Sequence, residues 1–319
     1  MSRRAALLFT TLGIAWGIPY LLIKVAVSEL SASQLVLART ALAAVLLLPV
    51  ALARGQVGPT LRRWPAVLAY TVVEIAIPWV FLGRAEQELP SSTTGLLIAA
   101  VPLAGLAVAA LTGRPERLGA TGRAGLVLGL LGVAALVGLD VGGSALGPVL
   151  EVGVVVLGYA VGPAILSRWL GDLPGLGVVA VSLTLCALMY LPVVLVGGGL
   201  PPRLPGTDVV LSVVALAVLC TAAAFLMLFA LIGEIGPVRA TTITYVNPAV
   251  AVVAGALVLD EPVTAVKVVG FALVVLGSVL VTRRAPTVVE ETAPGHGRVV
   301  TAPADGQCIG STGEPGRTS

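Results

Sequence analysis

The sequence predicts an all-α integral membrane protein with ten transmembrane helices, arranged as two inverted five-helix repeats. Three observations predict it. Hydrophobic residues make up 57% of the chain and charged residues 11%, whereas a soluble domain carries about 25% charge. So little charge cannot cover a water-facing exterior, and the mean hydropathy of +1.05 agrees. Apolar runs recur at about 20 residues each, the length a helix needs to cross the hydrocarbon core. Finally, one pattern of proline, acid and glycine occurs twice.

The runs stand at 5–27, 33–52, 65–83, 91–112, 121–139, 148–168, 175–196, 208–232, 238–258 and 264–282. They are too long and too continuous for the alternating strands of a barrel, and a helix satisfies its own backbone groups in lipid. The first run follows Arg3 and Arg4 and looks like a signal peptide. No small-residue cleavage site follows it, so it is read as an uncleaved span. Residues 285–319 are poor in apolar residues and rich in Pro, Gly, Thr and Glu, which predicts a disordered cytoplasmic tail.

The repeated pattern is Pro102, Glu116, Gly125 and Gly132, then Pro248, Glu261, Gly270 and Gly277. Glutamate to glycine to glycine is nine residues and then seven in both copies. Leu48-Pro49-Val50 recurs at 191–193, and the same offset sets Trp16 opposite Tyr159 and Lys24 opposite Ser167. The repeats are therefore 5–139 and 148–282. Five helices is an odd number, so the second repeat enters the membrane upside down, a plan shared by many secondary transporters.

Orientation follows from the loop charges. With the N-terminus in the cytoplasm, twelve loop arginines lie inside and only Lys24, Arg39, Arg84, Arg203 and Lys267 lie outside. Both termini are then cytoplasmic and the chain is a multi-pass protein of the cell membrane. That distribution also explains the net charge of +3 without a nucleic-acid partner. His296, the one histidine, is in the tail, and Cys186, Cys220 and Cys308 show no metal or disulfide spacing. No metal, cofactor or catalytic centre is expected, and without a Walker motif neither is direct use of ATP.

These residues carry a family resemblance. Trp16 and Gly17, with Lys24 and Arg39 after them, and the two proline–glutamate–glycine series over about 5–282 resemble the drug/metabolite transporter superfamily, in particular its EamA-type members. The resemblance implies exporters of amino acids, other small metabolites or drugs. It also implies alternating access to a central cavity between the halves.

Candidate cavity residues are Trp16, Tyr20, Arg39, Tyr70, Glu74, Tyr159, Tyr245 and Asn247. Glu74 is the sharpest of them. It stands in the middle of the third run, where a charge costs about 2.5–3.5 kcal/mol on insertion scales and so faces a cavity or a partner. It is the candidate for binding a cationic group or carrying a proton; its bland alternative is a hydrogen-bonded packing carboxyl. Helical spacing sets Tyr70, Glu74, Pro78 and Phe81 on one face. The second repeat has Cys220 or Thr221 at the matching place. Arg39 either snorkels, or neutralises Glu74 or a substrate carboxylate. Lys24 reads as a snorkelling lysine. Trp16 either lines the cavity or packs. Glu151 reads as interfacial.

Pro248 breaks helical geometry at Asn247, which favours cavity lining by Tyr245 and Asn247 beside Thr241 and Thr244. Pro19, Pro78, Pro102 and Pro163 read as kinks. Glu116 and Glu261 each read as a cap of the next helix. Gly125–Gly129 and Gly158–Gly162 read as close-packing pairs. The expected function is a secondary carrier that exports a small metabolite such as an amino acid. The alternatives are efflux of hydrophobic amines, or a non-transporting scaffold or sensor. The bilayer and a small solute are the expected partners, with protons as a third and the oligomeric state open.

Overall fold

The computed structural model describes residues 2–111, 119–141, 146–201, 203–235, 243 and 246–282. Glu116, Thr241, Thr244, Tyr245 and the tail lie outside them. The described residues form helices and turns, with no strand among them. Eight helices are long and apolar enough to cross a membrane: Arg3–Ala26, Ala32–Ala53, Trp64–Glu88, Ser91–Leu111, Ala120–Gly138, Leu146–Leu170, Gly175–Val196 and Thr207–Ile235. Two shorter apolar helices come after them, Asn247–Val258 and Ala265–Thr282. Against the ten spans expected, eight helices among the described residues are long and apolar enough to cross a membrane, and the last two are shorter apolar helices. They are called the first to the tenth helix below.

Four prolines accompany interruptions of these helices, where the missing N–H and the ring disturb the ladder, whereas Pro49 and Pro192 lie inside continuous helices. The first helix is interrupted at Ile18, before Pro19. The fourth is interrupted at Ala99–Ala100, before Pro102. Pro163 precedes a widened π turn at Leu166–Leu170. In the third helix a π turn spans Thr71–Ala76, just before Pro78. The ring of Pro78 opposes the carbonyl four residues back, that of Glu74, and widening the turn relieves the clash. The eighth helix carries a π turn at Val218–Ala223 without a proline. The extra residue in the third helix rotates the residues after the π turn by about 100°. Tyr70 and Phe81 accordingly fall in different apolar clusters, which corrects the single face expected from regular helical spacing.

The first helix packs on the eighth, the second on the seventh, the third on the sixth, the fourth on the ninth and the fifth on the tenth. Adding five to each number, modulo ten, returns the same set of pairs. Exposed Leu130, Leu157, Leu188, Leu211 and Leu257 cover the outside with the apolar surface that lipid requires. Trp64 and Trp169 are exposed at helix ends, where indoles favour the membrane interface. Arg63 pairs bidentately there with Asp172, at 2.7 Å on both oxygens, and donates to the Trp169 carbonyl at 2.8 Å.

Glycines set the closest approach. A Cβ on Gly277 would stand 2.5 Å from the Gly125 carbonyl oxygen and 2.5 Å from the Gly129 amide nitrogen. Neither backbone can yield, because each belongs to the other helix of the pair. Gly277→Ala is expected to destabilise the detergent-solubilised protein by about 1–3 kcal/mol. Gly153→Ala, with no atom within 4 Å of its Cβ, is expected to be neutral or slightly stabilising. Thermal unfolding of the two variants side by side checks this.

Candidate functional site

Arg39 stands seven residues into the second helix, about 10 Å from its start at Ala32. It is 7% exposed, which rules out snorkelling in this structure. Its guanidinium lies 3.7 Å over the ring of Trp79, and its Nε donates to the Thr221 hydroxyl at 3.0 Å. Thr221 belongs to the π turn of the eighth helix and donates in turn to the Leu216 carbonyl at 2.8 Å. Among the described residues no carboxylate lies within 4 Å of Arg39, so it does not neutralise Glu74 here. A guanidinium held on an aromatic face by a fixed hydroxyl keeps donors that can bind an anion.

Glu74 sits ten residues from the start of the third helix at Trp64, about 15 Å in. Its Oε2 is buried without a hydrogen-bond partner. The carboxyl presses on Gly162 of the sixth helix, where any side chain would collide with it. Tyr159 is within electrostatic reach of both Glu74 and Arg39 and next to Trp79. Tyr70 is within electrostatic reach of Glu74 and Tyr159. Tyr20 completes the group from the first helix, near Tyr159 and Arg39 and in one apolar cluster with Cys220 and Ala251.

Tyr20, Arg39, Tyr70, Glu74 and Tyr159 are thus brought together, from the first, second, third and sixth helices. Glu74, Trp79 and Tyr159 keep part of their surface accessible, while Tyr20, Arg39 and Thr221 are buried. The group has one basic member, Arg39, one acidic member, Glu74, and three tyrosines.

Trp16 and Asn247 are not part of this group. Trp16 packs edge-on against Phe225, with centroids 6.1 Å apart, and belongs to the cluster of Leu12, Ala224 and Leu231. Asn247 sits against Gly17, and its Oδ1 is buried without a hydrogen-bond partner. Sequence reasoning passed over Trp79 and Glu86. A tryptophan four residues before the end of an apolar run reads as an interfacial anchor, and Glu86 reads as a helix-end acid.

A second polar group closes one end of the bundle. Lys24 donates to the carbonyls of Glu86 and Leu89, at 2.6 and 3.0 Å, and so caps the end of the third helix. That cap replaces the snorkelling reading. Glu261 accepts from the backbone amides of Ser91 and Ser92, at 2.7 and 2.9 Å. It therefore caps the fourth helix, and not the tenth, its neighbour in sequence. Burial opposes the charge on Glu261, but the hydrogen bonds from Ser91 and Ser92 outweigh it and hold the carboxyl below the usual glutamate value. Glu151 pairs with Arg84 at 2.7 Å. Among the described residues no group of three His, Cys, Asp or Glu is placed to hold a metal.

Comparison with known proteins bears on this geometry. The model of the EamA-like transporter family matches residues 3–138 and again 149–283. An uncharacterized inner membrane transporter of Escherichia coli (strain K12), YedA, is 28% identical over 272 residues, covering 84% of this chain and 87% of that protein. An uncharacterized transporter of Bacillus subtilis (strain 168), YvbV, is 24% identical over 286 residues, covering 88% and 92%. One solved crystal structure superposes with a TM-score of 0.62 at 21% identity, over 87% of this chain and 96% of its own. At that identity the likeness shows the fold alone. Two matches to one family model, together spanning nearly all of the helical part, make the chain a member of the EamA-like transporter family.

Proposed function

We propose that this transporter is a secondary carrier that exports small amphipathic metabolites, amino acids foremost, across the cell membrane by alternating access. The observation that carries the reading is Arg39, a buried guanidinium with a fixed aromatic and hydroxyl cradle and no carboxylate within 4 Å among the described residues. A cation left so inside a bundle is costly unless an anion completes it. A substrate carboxylate does that, and the Glu74 carboxyl, whose Oε2 has no hydrogen-bond partner and which shares Tyr159 as a neighbour with Arg39, suits the substrate's ammonium.

The pairing of helices, unchanged when each is advanced by five, supports two inverted repeats over 5–139 and 148–282. With an odd number of helices per repeat, the same site faces alternate sides as one half rocks on the other. The arginine-rich loops support cytoplasmic termini. Glu74 is the group proposed to carry a coupling proton. A second reading, efflux of hydrophobic amines, is favoured by Tyr70 and Tyr159 beside Glu74; it would leave Arg39 without a role.

The test is comparison of metabolites in the medium of cells overproducing the protein with those of empty-vector cells. Enrichment of one or a few amino acids is the expected result. Enrichment of amines alone would favour the second reading, and no enrichment with the protein present in the membrane would count against export.

A further inference from the structure

The turn between the third and fourth helices is gripped by side chains from three other places in the chain. Lys24 of the first helix donates to the carbonyls of Glu86, Leu89 and Gln87, at 2.6, 3.0 and 3.5 Å. Glu261, before the tenth helix, accepts the Ser91 and Ser92 amides. Lys267, 3% exposed, donates to the Ser92 hydroxyl at 3.0 Å and the Pro262 carbonyl at 3.1 Å. Ser91, Ser92, Thr93 and Thr94 are buried beneath this grip.

Two local features aim Glu261. Asp260 has a φ of +53°, rare for a residue with a side chain. Gly255 leaves room where a Cβ would stand 2.7 Å from the Glu261 Oε2 and 2.9 Å from the Ser91 hydroxyl.

Under the turn lies the Glu86 carboxyl, 0% exposed, with neither oxygen hydrogen-bonded. The ionisable groups facing it are Lys24 and Tyr20 of the first helix, Arg39 of the second, Tyr159 of the sixth, and Glu261. The Lys24 ammonium is within electrostatic reach of the carboxyl, yet its hydrogen bonds go to the backbone carbonyls.

We propose that this turn is the outer gate of the carrier, that Glu261 and Lys267 hold it shut, and that Glu86 is the partner Lys24 takes when it opens. The proposal rests on the alternating-access reading above. Lifting the turn removes the carbonyl acceptors of Lys24, and an ammonium stranded in the bundle would resist opening. Glu86 offers a replacement and gains the hydrogen bonds it lacks. The freed amides of Ser91 and Ser92 move into water, which satisfies them. The Lys24 ammonium and the Ser91 and Ser92 amides are then paired in both positions of the turn, which gives it two discrete arrangements.

The gate predicts effects of opposite sign. Glu261 and Lys267 favour the closed turn, and Glu86 favours the open one. Cys220, in the cluster of Tyr20, Leu82 and Ala251, is the reporter. Cys186→Ala and Cys308→Ser remove the other thiols, and Cys220→Ser sets the baseline. Intact cells are treated from outside with a small membrane-impermeant methanethiosulfonate. The labelling rate of Cys220 is then read on purified protein that elutes as a single species in detergent.

Glu261→Gln and Lys267→Met are expected to raise the rate on the order of tenfold, and Glu86→Gln to lower it by a similar factor. Acceleration in all three variants, as general loosening would produce, overturns the proposal. So does an unchanged rate in all three. No substrate is needed, so this failure would leave the carrier reading standing. A failure of export would not move these rates.

Discussion

Replacing Arg39 by methionine is expected to lower transport efficiency about 100-fold or more, with the protein still present in the membrane. The guanidinium makes two contacts that fix its plane, the Trp79 ring at 3.7 Å and the Thr221 hydroxyl at 3.0 Å. Methionine keeps most of the volume and none of the charge, so the loss should fall on the solute and not on packing. Arg39→Lys is expected to fail nearly as badly. An ammonium is a point charge and cannot lie flat on the indole while donating to Thr221. The measurement is the initial rate of efflux of the solute enriched in the medium, normalised to protein in the membrane. Thr221→Val and Trp79→Leu should give smaller losses of the same kind, raising the half-saturating concentration more than they lower the maximal rate.

Glu74→Gln should uncouple net transport from the proton gradient. Transport driven by a pH difference should fall about 10–100-fold, while exchange of solute for solute should fall less, through a higher half-saturating concentration. Exchange needs the site to bind and turn over, whereas net movement against a gradient needs the group that carries the proton. Gly162→Ala should imitate this variant in part, because the added methyl lands on the Glu74 carboxyl. If Glu74→Gln moved solute as fast as the unaltered protein with the same pH dependence, the coupling role would be abandoned and Glu74 read as a packing group.

The spans were legible in the chain because lipid imposes a simple length rule on apolar runs. The bounds of the second and seventh helices fall within a residue of the expected runs. Glu74 was legible as a charge at depth, whereas Arg39 read as a charge near the outer end of its helix; the structure buries Arg39 and puts both within electrostatic reach of Tyr159. The features that escaped depend on partners distant in sequence. Glu261 reads locally as the cap of the next helix, but its amides belong to Ser91 and Ser92, 169 and more residues away. Lys24 looks like any lysine near a helix end until the carbonyls of Glu86 and Leu89 are seen around it. The face of the third helix was misjudged because regular spacing assumes no π turn, and the widening at Thr71–Ala76 breaks the count before Phe81 is reached. Trp16 shows the opposite limit: a mid-depth indole can face a cavity or a neighbour, and Phe225 is its neighbour.

The most direct test of the central claim uses purified protein in liposomes. Vesicles loaded with unlabelled amino acids are diluted into a trace of the same amino acids carrying a radiolabel, and counterflow is followed. Saturable, protein-dependent accumulation that Arg39→Met abolishes is the predicted result. Accumulation no greater than in protein-free vesicles, or equal accumulation by Arg39→Met, would contradict a carrier for carboxylate-bearing metabolites built around this site.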